Sequence, residues 1–148
     1  MTSNPAAPPP REAEAYERLQ CYTLGHTGPQ FIHQHVVDAW AAQHATETTK
    51  PISLTFALIG LYLHVEKGYS GRQVQRMHMT LADTRRAWPS FLLPARRGSV
   101  TAVEVMAAPA GPARDRAIDA WCTSVWESYA NHREAIAELL RECGQYVG

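Results

Sequence analysis

The sequence predicts an all-α protein: a compact single-domain bundle of six to seven helices around a buried central helix. Apolar residues recur at i, i+3, i+4 and i+7 in several segments, and no segment alternates as a strand would. The run 51–66 has no charge before its last residue and has apolar side chains all round a helix, so it must be covered on every side. A bilayer span needs about 20 apolar residues, and this run is several short, so we expect a soluble domain.

The positions of prolines and charged residues predict the first structural elements of the chain. Residues 1–10 hold four prolines and no charged residue, so we expect a disordered or extended proline-rich leader outside the core. A single helical domain is expected over 11–148. Its first helix is predicted over about 11–24, with an acidic start that suits the helix dipole. The second is predicted over about 29–44, with a proline in its first turn.

The later helices carry start and stop signals. The central helix is predicted over about 51–67, with Gly68 as a left-handed C-cap. Capping boxes at Ser70 and Thr101 start two more helices, since each residue is followed three positions later by glutamine or glutamate. The remaining helices are expected over about 71–84, from Thr101 to before Pro109, over 113–131 and over 133–143. An irregular loop with Trp88 and Phe91 lies between them and is expected to line a pocket or form a lid.

Composition excludes several classes of protein. The formal net charge is zero, which argues against a generic nucleic-acid binder. The three cysteines are far apart and form no CxxC pair, so neither a disulfide framework nor a cysteine zinc site is expected. The start shows no basic region followed by an apolar one, so we expect no secretory signal and a reducing cytoplasm.

Histidines on apolar helix faces form the first candidate site. If the second and third helices form an antiparallel hairpin about the 46–50 connector, His33 comes level with His64. His78 in the following helix then lies about one turn away. Three imidazoles from three helices are a suitable ligand set for zinc, iron or a similar divalent metal ion. The sequence therefore predicts a metal or small-ligand site near the C-terminal end of the central helix.

A carboxylate would complete or orient this predicted metal site, and Asp38 and Glu66 are the candidates. The alternative is that His33 and His78 are core histidines, each hydrogen-bonded to a neighbour. His35 and Asp38 share a helix face, which we interpret as a solvated polar side. If the chain is an enzyme, hydrolytic or redox chemistry on a small molecule would use these residues, but the sequence leaves enzymatic activity open.

A basic band, defined as residues 67–97, is the second candidate site. It holds seven basic residues and one acidic residue, a net charge of +6, whereas the segments on either side are acidic. Arg72 and Arg76 lie at i, i+4 on one helix face, near a helix N-terminus whose free amides favour anions. This band would bind an anionic ligand, an acidic partner or another protomer, as in a non-enzymatic interaction module. The alternative is that its arginines pair with acidic residues inside the domain.

Several segments resemble one bacterial family, the domain of unknown function DUF5946. The likeness covers most of residues 15–142 and is carried by HQHVVDAWAAQH at 33–44, LYLHVEKG at 61–68, Trp88-Pro89, GSVT at 98–101 and WCTSVW at 121–126. The resemblance implies no defined reaction. Its chemically capable positions are His33, Asp38, His44 and Glu66. Many members of this family carry an N-terminal cysteine pair that suggests a zinc knuckle, whereas this chain has a proline-rich leader and Cys21 alone, so no knuckle is expected.

Overall fold

The computed structural model describes residues 10–25, 28 and 30–148, and these residues form seven α-helices and no strand. The predicted all-α class is therefore confirmed. The helices are α1 Pro10–Leu24, α2 His33–Gln43, α3 Pro51–Lys67, α4 Gly71–Ala82, α5 Ala102–Ala107, α6 Pro112–Ser128 and α7 Arg133–Glu142, with a 3-10 turn at Ala130–His132 before α7. The predicted leader lies outside the described residues, except for Pro10, which begins α1.

Helix α3 is the centre of the bundle. From Leu54 to Leu63 every residue is buried except Phe56, which is half-buried. Helices α2, α4, α6 and α7 all pack against it, so its apolar circumference is covered by protein. Each large aliphatic side chain removed from water contributes about 1.5–3 kcal/mol, so α3 is a main source of the stability of the fold.

The helix caps predicted at Gly68 and Ser70 are present in the structure. Gly68 follows α3 with φ of 71° and donates its backbone N–H to the carbonyl of His64, 3.2 Å away. In the capping box that starts α4, the Ser70 hydroxyl accepts a hydrogen bond from the backbone N–H of Gln73 at 3.2 Å. The side-chain oxygen of Gln73 accepts one from the backbone N–H of Ser70 at 2.8 Å. These local bonds satisfy backbone groups that a helix end leaves without partners.

Helix α2 begins later than predicted, at His33, because the chain before it turns away from helical geometry. Phe31 has φ of 46°, a left-handed conformation that ends helical continuity. The carbonyl of Gln30 accepts from the amide of Gly71 at 2.6 Å, which ties this turn to the start of α4. A Cβ at Gly71 would overlap the Phe31 carbonyl, so the close approach requires glycine at this position.

Helices α1 and α2 run antiparallel in a constant register. Three side-chain pairs define it: Thr23 with His33, Tyr16 with Trp40, and Glu12 with His44. In the second pair the aromatic rings stack with centroids 4.1 Å apart. The sum of the two residue numbers is the same in each pair, so the start of α1 lies level with Thr46, just beyond the end of α2.

Helices α2 and α3 are also antiparallel, but α2 is rotated relative to the prediction. His35 stacks on His64, and the carboxyl of Asp38 lies against Gly60. The buried face of α2 consists of His35, Val36, Asp38, Ala39 and Ala42. The interpretation of His35 and Asp38 as a solvated polar side is therefore wrong. The physical reason is that α1 covers the opposite side, where His33, Trp40 and His44 find their contacts.

Candidate functional site

A cluster of polar side chains lies inside the bundle where α2, α3 and α6 meet. We define this polar seam as His35 and Asp38 of α2, His64 of α3, and Asp119 and Cys122 of α6. His35 and Asp38 are 4% and 3% exposed, and Cys122 is fully buried. Buried ionisable groups of this kind are uncommon outside functional sites, so the polar seam is the first candidate.

His64 links α3 to α6 at the edge of the polar seam. Its Nδ1 lies 3.0 Å from the carbonyl oxygen of Tyr69, and its Nε2 lies 2.9 Å from Oδ1 of Asp119. The Tyr69 carbonyl and the exposed Asp119 therefore hold the His64 ring in a fixed orientation between α3 and α6.

His35 lies directly behind His64, and the two rings stack with centroids 3.5 Å apart and 16° between their planes. Burial, and to a smaller extent the neighbouring His64, lower the pKa of His35 to about 3. His35 is thus neutral at physiological pH. Its Nδ1 is buried and has no hydrogen-bond partner among the described residues.

Asp38 lies one helical turn further along α2. Its Oδ1 accepts from the Gln34 side chain at 3.1 Å, whereas its Oδ2 is buried and finds no partner in the described part of the chain. Burial raises the pKa of Asp38 well above its usual value, against the opposing effect of the Gln34 hydrogen bond. A Cβ at Gly60 would overlap Oδ2, so glycine in the middle of α3 makes room for this carboxyl.

Cys122 closes the inner side of the polar seam. Its Sγ lies 3.6 Å from the backbone carbonyl of His35. Burial raises the pKa of the Cys122 thiol, and the charges of Asp119 and Asp38 raise it further. A protonated, inaccessible thiol is a poor nucleophile, so Cys122 is not placed for covalent chemistry.

The three histidines of the predicted metal site do not meet. Nδ1 of His33 lies 2.9 Å from the Thr23 hydroxyl of α1. Nε2 of His78 lies 2.7 Å from the carbonyl of Phe56, whose ring stacks on the imidazole. Burial lowers the pKa of both His33 and His78. Across the described residues, no three His, Cys, Asp or Glu side chains are grouped so that they could hold a metal ion.

The two predicted supporting carboxylates have different surroundings. Asp38 belongs to the polar seam, beside Gly60. Glu66 instead accepts from the indole of Trp126 at 2.6 Å and from the Arg133 guanidinium at 2.6 Å. Glu66 therefore joins α3 to α6 and α7 and is occupied by these structural contacts.

His44 follows the last residue of α2, between Trp40 and Glu12. Its backbone N–H bonds to the Trp40 carbonyl, but its ring stacks on Trp40, and Nε2 lies 3.9 Å from Glu12. Burial, and to a smaller extent the charge of Arg97, lower the pKa of His44 to about 4. The cation at the end of α2 is supplied by Arg97, which donates to the carbonyls of Gln43 and Ala45.

Several members of the basic band are engaged inside the protein. Arg72 donates to Gln75 at 2.8 Å, and its guanidinium carbon lies 4.5 Å from the centroid of the Phe31 ring. Arg86 pairs with Glu142 at 3.3 Å. Thus Arg72, one of the two predicted anion-binding residues, already has a cation–π partner.

Three arginines of the basic band, Arg76, Arg85 and Arg96, are exposed and form no hydrogen bond or ion pair with any described residue. Two acidic residues of the domain are engaged in other contacts. Asp119 bonds His64, and Glu104 closes the capping box of α5. The structure therefore leaves a set of uncompensated cations on the surface.

Sequence reasoning missed His35, Asp119 and Cys122. A signal for α6 existed, because Asp119 and Cys122 are three residues apart and so share a helix face. The spacing of His35 and Asp38 gave the same signal on α2, but spacing alone does not indicate which side of a helix is covered.

No helix within the described residues is both long and apolar enough to span a bilayer. No curated protein and no solved structure shows significant similarity to the chain. The model of one family, described as a family of unknown function, matches residues 11–130, which cover the segment from α1 to the 3-10 turn after α6. The chain therefore belongs to the family DUF5946.

Proposed function

We propose that this protein is a non-enzymatic binding module that docks an acidic protein segment through the free arginines of the basic band. The observation that carries this proposal is that Arg76, Arg85 and Arg96 are exposed and have no partner among the described residues. Exposed cations without internal partners favour a negatively charged partner and accelerate its association.

The outer face of α4 supports this proposal. Helix α4 packs against α2 and α3, which leaves its other side open. Arg76 and Met79 lie three residues apart on that side, and Met79 is 66% exposed. A guanidinium beside an exposed thioether matches a segment that carries both carboxylates and apolar side chains, because methionine adapts to varied apolar partners.

A protein segment is favoured over nucleic acid for two reasons. The net charge of the whole chain is zero, so it lacks the general positive potential of a nucleic-acid binder. The free arginines also lack the interleaved aromatic residues that stack on unpaired bases. A second copy of the chain would also be a suitable partner, because the segments on either side of its basic band are acidic.

The test compares two charge-reversal variants of the full chain. One carries Arg76→Glu, Arg85→Glu and Arg96→Glu. The matched control reverses three exposed arginines outside the basic band, Arg18→Glu, Arg116→Glu and Arg141→Glu, of which Arg18 and Arg141 pair with Glu14 and Glu138. The probe is a synthetic peptide of alternating glutamate and leucine, measured by fluorescence anisotropy. We expect the first variant to weaken binding about tenfold or more and the control to change it little.

Two results would contradict this proposal. If both variants bind the acidic peptide as the wild type does, the free arginines are not a docking site. If an unpaired oligothymidylate binds the wild type more tightly than the peptide at equal salt, nucleic acid is the better ligand class. Sedimentation of the wild type and the first variant detects docking of a second copy.

A divalent metal ion, zinc or iron, is the second candidate ligand, and one observation favours it. His35 Nδ1 and Asp38 Oδ2 are buried without partners, and their i, i+3 spacing lets one helix supply two ligands. Binding would draw them together with Cys122 or His64, since the described residues are not grouped around an ion. Ligation by His33, His64 and His78 stays a prediction.

Elemental analysis of protein purified without chelator or affinity-tag metal separates these ligand sets. Stoichiometric metal that is lost in His35→Ala and kept in His33→Ala would assign the ion to the polar seam. The opposite pattern would assign it to His33, His64 and His78. Absence of stoichiometric metal from the wild type would remove this candidate.

We also propose that the protein is located in the cytoplasm of a bacterium. This location is supported by the three cysteines Cys21, Cys122 and Cys143, all of which are free thiols.

A further inference from the structure

Two neighbouring cavities flank the loop between α4 and α5, and they share Pro89 and Phe91 as a common wall. The first cavity has a volume of about 350 Å³ and lies between this loop and the connector from α2 to α3, which contributes Thr46. The second has a volume of about 470 Å³ and lies between Trp88 and α7. We call the two cavities together the aromatic cleft.

Large apolar groups line the aromatic cleft, and the fold uses them only in part. Leu92 lines the first cavity and is 85% exposed. Trp88 and Phe91 line the second cavity and are half-buried. Trp88 meets the ring of Phe56 edge-on with centroids 5.0 Å apart, and Phe91 meets the ring of His132 in the same way at 5.1 Å. The fold therefore holds two aromatic rings at the surface beside an apolar side chain that remains in water.

Free arginines stand at both ends of the aromatic cleft. Arg85 directly precedes Arg86, which lines the second cavity. Arg96 lies three residues after Leu93, which lines the first cavity. Neither Arg85 nor Arg96 forms a hydrogen bond or ion pair with any described residue. Two positive charges without internal partners therefore flank the apolar lining.

The carboxylates of the lining do not cancel these two charges. In the second cavity Glu138 pairs with Arg141. Glu142 pairs there with Arg86. Glu47, at the first cavity, is the remaining acidic residue among the described lining residues. An excess of positive charge therefore remains at the cleft, and it favours a partner with carboxylates.

The backbone of Arg85 also points to a contact outside the fold. Its φ is 49°, a left-handed conformation that is disfavoured for any residue with a Cβ. Chains that turn in this way at the end of a helix usually carry glycine there. Within the described part of the chain, the Arg85 side chain has no hydrogen bond or ion pair that would offset this cost. A guanidinium that binds a partner accounts for arginine at this position.

We propose that the aromatic cleft binds an acidic protein segment that carries a large aromatic side chain. This inference rests on the proposed function and says where the apolar part of that partner lies. Its carboxylates pair with Arg85 and Arg96, and its aromatic ring packs against Leu92 and the rings of Phe91 and Trp88. Such a side chain buries about 150–250 Å² and gains further from edge-to-face contact with other rings. An aromatic anchor in a pocket with charges at its rim is typical of the residues that dominate binding energy.

The first experiment compares two fluorescein-labelled synthetic peptides of equal length. Both are runs of glutamate, and one has a tryptophan at its centre where the matched control has alanine. By fluorescence anisotropy we expect the full-length wild type to bind the tryptophan peptide about tenfold or more tightly than the alanine peptide. In NMR spectra the tryptophan peptide should shift the amides of 88–93 more than the alanine peptide does.

The second experiment repeats the binding measurements with three single variants. Leu92→Ser, at an exposed side chain, is expected to reduce the tryptophan preference about threefold or more and to keep the affinity for the alanine peptide. Tyr146→Ser is the matched control, because Tyr146 is 84% exposed and does not line the cleft, and it should change neither. Arg85→Gly should weaken the binding of both peptides while its thermal midpoint stays equal or rises, because glycine suits the left-handed backbone.

Failure of this inference and failure of the proposed function give different results. If the variant with Arg76→Glu, Arg85→Glu and Arg96→Glu binds both peptides as the wild type does, acidic docking itself fails, and this inference fails with it. If the alanine peptide binds through the arginines but tryptophan adds nothing, acidic docking stands and the aromatic cleft is not its site. A tryptophan preference that survives in Leu92→Ser has the same meaning. Self-association of the wild type that Leu92→Ser abolishes, measured by sedimentation, would also overturn the inference, because the occupant would then be a second copy.

Discussion

Asp38 has an ionisable carboxyl group in a buried position, where the charged form is unfavourable. It is 3% exposed, and only one of its two carboxyl oxygens has a hydrogen-bond partner among the described residues. Burial raises the pKa of Asp38 well above its ordinary value of 3.8, so the folded state favours the neutral carboxyl. Such a group destabilises the fold at neutral pH, unless a ligand in the polar seam compensates it.

We expect Asp38→Asn to gain stability relative to the wild type as pH rises. The folded wild type keeps the Asp38 proton above pH 3.8 whereas the unfolded chain releases it, so the contribution of Asp38 to stability falls from about pH 3.8 up to its folded-state pKa. Each unit of raised pKa corresponds to about 1.4 kcal/mol. Urea denaturation of both proteins from pH 3 to 8 measures the difference, and parallel pH profiles would contradict the prediction.

At the scale of elements, the approach of α2 to α3 depends on one glycine. Gly60 is buried in the middle of α3, where glycine costs about 1 kcal/mol relative to alanine in helix propensity. Its missing side chain makes room for the Asp38 carboxyl and for Val74 of α4. Glycine at this position therefore lowers the intrinsic stability of α3 but allows α2, α3 and α4 to pack more closely.

Gly60→Ala is expected to destabilise the protein by about 1–3 kcal/mol, because the new methyl group overlaps the Asp38 carboxyl. Thermal and urea denaturation measure the loss. The double variant Gly60→Ala with Asp38→Ala should recover part of it, since the overlap is then removed. Ser53→Ala, at an exposed position of the same helix, is the control and should change stability by less than about 0.5 kcal/mol. A stabilised Gly60→Ala protein would show that α2 and α3 do not need this close contact.

At the scale of the whole molecule, buried histidines make the fold sensitive to mild acid. Burial is the main cause that lowers the pKa of His35 to about 3 and that of His44 to about 4, and it also lowers the pKa of His33 and His78. Between their folded and unfolded pKa values, these residues take up protons only in the unfolded chain.

We therefore expect the histidine contribution to stability to rise with pH between about 4 and 6.5, by up to about 1.4 kcal/mol per pH unit for each such histidine. The Asp38→Asn protein is the one to measure, because it lacks the opposite effect of the Asp38 carboxyl. Denaturation midpoints at constant ionic strength measure this profile. His35→Gln should flatten it by the contribution of one residue, because glutamine does not titrate. A profile that is flat from pH 4 to 6.5 in the Asp38→Asn protein would mean that the histidine sites are open to protons in the folded state.

The parts of the fold that were predictable depend on local chemistry. The caps at Ser70, Thr101 and Gly68 act within a few residues of chain, so their outcome follows from neighbours in sequence. The late start of α2 was not predictable in this way. It depends on the contact of Gln30 with Gly71, which lies 41 positions away in the sequence.

The sequence predicted where along the central helix the candidate site lies, but it did not predict which residues form it. The hairpin of α2 and α3 was expected to place His33 beside His64, and the structure places His35 there. Two residues along a helix correspond to a rotation of about 200°, so a small shift in register exchanges the inner and outer faces. His33 therefore bonds to α1, and the metal site expected at the end of α3 has no such grouping among the described residues.

Local sequence patterns were enough to predict that this chain is helical and that residues 51–67 form its centre, because an uncharged apolar run can be stable in water only when it is covered. The excess of positive charge in residues 67–97 can also be read from the sequence. The folded structure was needed to show which histidines meet, which arginines remain free and why Gly60 is needed. These outcomes depend on how helices rotate and pack against one another, and that is set by contacts between residues far apart in the chain.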